Sequence, residues 1–114
     1  MLCRFTSRAL LVMALSLGVS AAAQAATTKE LRSRGKAILE EKCSRCHAVG
    51  TRDLSPLKGA PPMRTIYGRF APKELRAEIQ EGMVSRHREM PQIDFSDEDT
   101  DAIMAYLYAL ALRK

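Results

Sequence analysis

Residues 40–50 read Glu-Glu-Lys-Cys-Ser-Arg-Cys-His-Ala-Val-Gly, and the five from Cys43 to His47 spell C-x-x-C-H. On a helix, positions i and i+3 are neighbours on one face, so the two thiols project side by side and His47 follows at i+4 from Cys43. Three chemistries use such a cluster. A structural zinc site needs four ligands and usually a second paired cluster, whereas the chain's remaining cysteine and histidine are the isolated Cys3 and His87. A thiol–disulfide exchange motif belongs beside a strand–helix–strand pattern, and no run here alternates with the two-residue period of a half-buried strand. The third chemistry is covalent attachment of a c-type haem, in which Cys43 and Cys46 add to the two vinyl groups and the imidazole of His47 meets the iron.

What precedes the motif places it in a compartment. Arg4 and Arg8 lead into an apolar run from Ala9 to Val19 and then into small residues, which is the build of a secretory signal peptide. Ala23-Gln24-Ala25 has the small-x-small form of a cleavage site, so cleavage is expected after Ala25, with Ala23 as the alternative, leaving 26–114 as the functional domain. The run is too short to span a bilayer, and no permanent membrane span is expected after cleavage. Cys3 falls in the discarded segment and is assigned no role. In an oxidising compartment such as the periplasm an isolated cysteine pair is ordinarily a disulfide, but two intervening residues and an adjacent histidine favour haem attachment.

The chain has 114 residues and a formal charge of +5, enough for one small domain. Taking Arg4 and Arg8 from its 18 basic residues leaves 16 against 13 acidic ones, about +3 for residues 26–114. The basic residues are scattered, and three Tyr and three Phe make no stacking platform, so a nucleic-acid partner is not expected. With no tryptophan, so short a chain has a thin apolar core, which a buried, covalently fixed macrocycle would thicken.

Outward from the motif the pattern is helical. Thr27 and Thr28 are candidate caps for a first helix carrying Leu31, Ile38, Leu39 and Cys43 at helical spacing, with the cysteines in its last turn. Gly35 in its middle costs helix stability and suggests that another backbone comes close there. From Gly50 to Phe70, Pro56, Gly59, Pro61, Pro62 and Gly68 break any periodicity, and a loop of that length calls for an object to wrap around. Pro72 suits the first position of a second helix, with Leu75 and Ile79 on its buried side and Gly82 as its stop. After a further loop from Met83 to Phe95, Ser96 caps a third helix. Asp97, Glu98 and Asp99 sit at its positive end, Ile103, Tyr106, Leu107 and Leu110 form its apolar stripe, and Arg113 and Lys114 suit its negative end. The fold class expected is all-α, three helices joined by long loops.

Met63, Met83, Met90 and Met104 are by default core filler. Met90 differs because Pro91 drives it out of the α region into an extended loop just before the last helix, from which it can project inward.

The chain resembles the class I c-type cytochromes, in particular the short periplasmic kind, in three features: a C-x-x-C-H on the first helix, a proline-bearing loop, and the segment His87-Arg88-Glu89-Met90-Pro91 before the last helix. The resemblance spans all of 26–114. It implies an all-helical fold wrapped around one covalently attached haem, with the first and last helices crossing, here with Gly35 against the Tyr106 region. It implies Met90 as the sixth ligand to the iron beside His47, with Met83 and His87 as rivals, and a loop proline whose carbonyl receives the other ring hydrogen of His47, Pro62 being preferred over Pro61. Arg64, Tyr67 and Arg69 are placed to meet the haem propionates.

The expected function is outer-sphere transfer of single electrons by a non-enzymatic carrier in the periplasm. With both axial positions filled by protein atoms there is no place for a substrate. Arg45, Lys58, Arg64, Arg86 and Arg88 are expected to ring the haem edge and steer an acidic redox partner. Two alternatives stand beside this carrier. One is a haem protein whose open or histidine-ligated distal side serves a gas sensor or a peroxidase-like enzyme. The other is a subunit bound within a larger oxidoreductase complex rather than a free monomer.

Overall fold

The computed structural model describes residues 27–83 and 89–113; the expected signal segment and Arg86, His87, Arg88 and Lys114 lie outside the described residues. Residues from Leu31 onward form one compact unit.

Among the described residues helix α1 covers 27–43. Thr27 and Thr28 are inside it rather than capping it, and Cys46 falls in the turn that follows. Its inner face is built from Leu39, which is buried, with Ile38 and Cys43 packed beside it. Pro62 is extended at φ −66 and ψ 143 and opens the short α2, Met63–Ile66, which passes directly into a 3-10 turn, Tyr67–Arg69. This corrects the expected loop over 50–70. Four residues are too few to display a helical stripe, and so short a helix persists only through packing, here of Met63 and Ile66 in the core and of α2 against the last helix.

Helix α3, Pro72–Gln80, starts with its proline in the first turn, where the missing N–H costs nothing. Leu75 and Ile79 are its buried residues. Gly82 beyond it takes φ +74 and Met83 φ +56, the left-handed exit that ends many helices. Helix α4, Asp97–Ala111, is capped as expected: Ser96 Oγ accepts from the Asp99 N–H at 3.1 Å. Arg113 falls just past the helix, whose last turn holds no basic residue.

Packing converges on α4, which lies against α2, the 3-10 turn and α3. Its Ile103, Leu107 and Leu110 join Leu39, Met63, Ile66, Leu75 and Ile79 in one core. Ion pairs brace its N-terminus, Arg34–Asp99 from α1 at 2.8 Å and, from α3, Arg76 with Asp101 and with Asp97 at 4.0 Å. Helix α1 comes against the backbone of α4 at Gly35, where a Cβ would stand 1.9 Å from Ala102 O. The crossing predicted from Gly35 therefore exists, one turn nearer the start of α4 than Tyr106. Among the described residues all regular structure is helical, with four helices where three were expected.

Candidate functional site

The end of α1 delivers the cysteine–histidine cluster. Cys46 N and His47 N both donate to Cys43 O, at 3.2 and 2.9 Å, so the chain tightens as it leaves the helix and keeps the three side chains together. Both thiols are free and half-buried. Burial, reinforced by the nearby Cys46, pushes the Cys43 thiol up to about 11. That is the wrong direction for an exchange motif, whose nucleophile needs a lowered pKa.

His47 is buried, and its Nδ1 lies 2.7 Å from Pro61 O. A carbonyl only accepts, so Nδ1 carries a hydrogen, and in the neutral ring the lone pair that can bind a metal is therefore on Nε2. The acceptor is thus Pro61 rather than the preferred Pro62. Pro62 caps α2, and its carbonyl already accepts from Thr65 N at 3.0 Å and Thr65 Oγ1 at 2.8 Å; the preceding carbonyl is the one left to face the ring.

Further bonds hold the segment after His47, and these were not foreseen. Ala48 N donates to Ser55 Oγ at 3.0 Å, Met63 N to Ala48 O at 2.9 Å, and Tyr106 Oη to Val49 O at 2.8 Å. In sequence Ser55 looks like any loop serine and Tyr106 like a member of an apolar stripe.

Two adjoining cavities, about 480 and 520 Å³, share Cys43, His47, Met90, Pro91 and Ile93 as wall residues. The first reaches into the core, where Leu39, Ile66, Phe70, Leu75, Ile103 and Leu107 line it. The second opens past Cys46, Arg45, Pro56 and Leu57. Ligand sites fall in this size range. The donor set fits a haem: two free thiols on the wall, an imidazole whose Nε2 is not engaged by Pro61, a thioether at Met90, and apolar surroundings. Among the described residues no three His, Cys, Asp or Glu side chains are placed to hold a bare metal ion.

The remaining expected residues divide. Arg69 lines the inner cavity. Arg64 and Tyr67 line neither: the Arg64 guanidinium donates to Asp53 O at 2.9 Å, and Tyr67 packs on Tyr108 with ring centroids 5.4 Å apart. Met83 lines the inner cavity and packs on the core. Of the expected cationic ring, Arg45 stands at the outer cavity, Lys58 is exposed one residue beyond the wall residue Leu57, and Arg64 is engaged as above.

A family model described as Cytochrome C oxidase, cbb3-type, subunit III matches residues 30–107, well over half of the chain. No curated protein and no solved structure matches it. Among the described residues no helix is long and apolar enough to cross a membrane.

Proposed function

The chain belongs to the family described as cytochrome c oxidase, cbb3-type, subunit III, a c-type cytochrome whose work is haem-based electron transfer, and from that premise we propose a periplasmic one-electron carrier released by cleavage after Ala25. Cys43 and Cys46 would hold one haem by thioether bonds, with His47 and Met90 as the residues that would ligate its iron. When bound, the haem supplies a ferric–ferrous couple.

The observation that carries this reading is the shared wall: both cavities meet at Cys43, His47 and Met90. The chain's own residues do the rest. Pro61 O fixes the imidazole and makes it a better donor. The apolar lining from Leu39 to Leu107 keeps water away and disfavours added charge at the centre, which together with a neutral thioether raises the potential. Arg69 is the one expected propionate partner on the cavity wall, and Arg45 and Lys58 present positive charge at the outer cavity to an acidic redox protein. The family description favours a second reading, a cytochrome held within a larger oxidase complex. Size-exclusion of native extract separates the two, since a carrier elutes near its own mass.

The test is expression with the native leader in a host competent for cytochrome maturation, followed by pyridine-haemochrome and redox spectra of wild type and Met90→Ala. The expected wild type keeps its haem in acidified organic solvent and shows a weak far-red sulfur-to-iron band when ferric. Met90→Ala loses the band and binds carbon monoxide. Colourless wild-type protein, or porphyrin that washes out, overturns the proposal; a wild type already lacking the band and binding carbon monoxide points to an open distal site instead.

A further inference from the structure

The geometry points to Tyr106 as a positioning residue for the proximal ligand, an inference that rests on the reading of His47 as that ligand. The bond that orients His47 joins two chain segments: the ring belongs to the stretch 47–49 that leaves α1, and its acceptor, Pro61 O, belongs to the stretch that enters α2. For that 2.7 Å contact to have a fixed length, both stretches must be anchored to one rigid body. Helix α4 is that body. It grips the acceptor side by packing on α2, whose Met63 and Ile66 lie in the core with Ile103 and Leu107. It grips the donor side through a hydrogen bond 57 residues apart in sequence, Tyr106 Oη to Val49 O at 2.8 Å.

Between the two grips lies only Ala48, whose carbonyl accepts from Met63 N at 2.9 Å and whose N–H donates to Ser55 Oγ at 3.0 Å. Val49 is itself buried in the core with Met63, and the tyrosine bond adds a hydrogen bond from α4 that fixes where the Val49 carbonyl points. Without the tyrosine hydroxyl, Val49 O loses its bond to α4, and 47–49 keeps only its side-chain packing and the two Ala48 bonds, which leave its backbone more play against Pro61. A longer Nδ1–H to carbonyl bond leaves the imidazole a weaker donor, which disfavours the ferric form and raises the potential.

Tyr106→Phe removes the hydroxyl and keeps the ring, with Tyr108→Phe on the same helix as the control, both as full-length holoprotein. A buried hydrogen bond worth about 1 kcal/mol corresponds to roughly a fivefold change in an opening equilibrium. Amide exchange at Ala48 and Met63 is therefore expected to quicken about fivefold in Tyr106→Phe, with Leu75 and Ile79 in α3 unchanged, and the midpoint potential to rise; Tyr108→Phe changes neither. Exchange that quickens equally everywhere would mean a merely structural role and overturns the inference, as does a potential that stays at the wild-type value. If the wild type carries no covalent haem, it is the proposed function that fails, whatever the exchange rates show.

Discussion

Gly35→Ala is the substitution whose sign the fold decides. On helix propensity alone it stabilises α1, since alanine is better than glycine by about 1 kcal/mol in a helix interior. Gly35 faces not water but the backbone of α4: an ideal Cβ stands 1.9 Å from Ala102 O, 2.5 Å from Ala102 C and 3.0 Å from Ile103 N. No rotamer relieves a clash with backbone, so the crossing has to open by about 1 Å, enough to forfeit a quarter to a half of each dispersion contact across it. The residues beside the crossing are among the most buried, Ala102 at 0% and Ile103 at 1% exposure. Overpacking of this kind costs roughly 1–3 kcal/mol. Added to strain where a methyl meets backbone directly, it outweighs the propensity gain and leaves a net loss of about 2 kcal/mol. For a domain of this size that lowers Tm by roughly 8–16 °C. The assay is thermal unfolding of the holoprotein followed by far-ultraviolet circular dichroism, with Gly68→Ala as control, because a Cβ at Gly68 meets nothing within 4 Å. An unchanged or higher Tm in Gly35→Ala would refute the close crossing.

Removing the Ser96 hydroxyl by Ser96→Ala unbinds the Asp99 N–H and is expected to cost about 1 kcal/mol, read as a lower denaturation midpoint. The phenol of Tyr106 is held above its ordinary value, chiefly by burial, so the unfolded chain ionises first as pH rises. Its contribution is intact below about pH 10 and is lost as pH climbs through the raised value; Tyr106→Phe should flatten that alkaline fall in the urea midpoint. If Arg45 and Lys58 steer association, the rate constant with a small acidic electron-transfer protein should drop on the order of tenfold from low to high salt, measured by stopped flow; a rate indifferent to salt would dismiss the charged docking face.

Much of this chain is written in interactions that span only a few residues. Cys43, Cys46 and His47 sit within one helical turn, so their joint chemistry is readable without a fold. Pro72 at the start of α3, Ser96 at the cap of α4 and Gly82 at the exit of α3 act through backbone bonds to immediate neighbours. The short α2 was hidden, since Met63–Ile66 has no periodicity to show. The directions of Arg64 and Tyr67 depend on that hidden turn.

Sequence by itself therefore determined the class of helical fold, the attachment motif and the residues that begin and end α3 and α4, because each is enforced by local covalent geometry and short-range hydrogen bonds. Tertiary structure alone decided that Pro61 and not Pro62 faces His47, that Gly35 meets Ala102, and that Tyr106 reaches Val49 across 57 residues. Those outcomes depend on how α1 and α4 cross and where α2 turns, and a carbonyl or a hydroxyl has no way to announce its distant partner until packing has brought the two together.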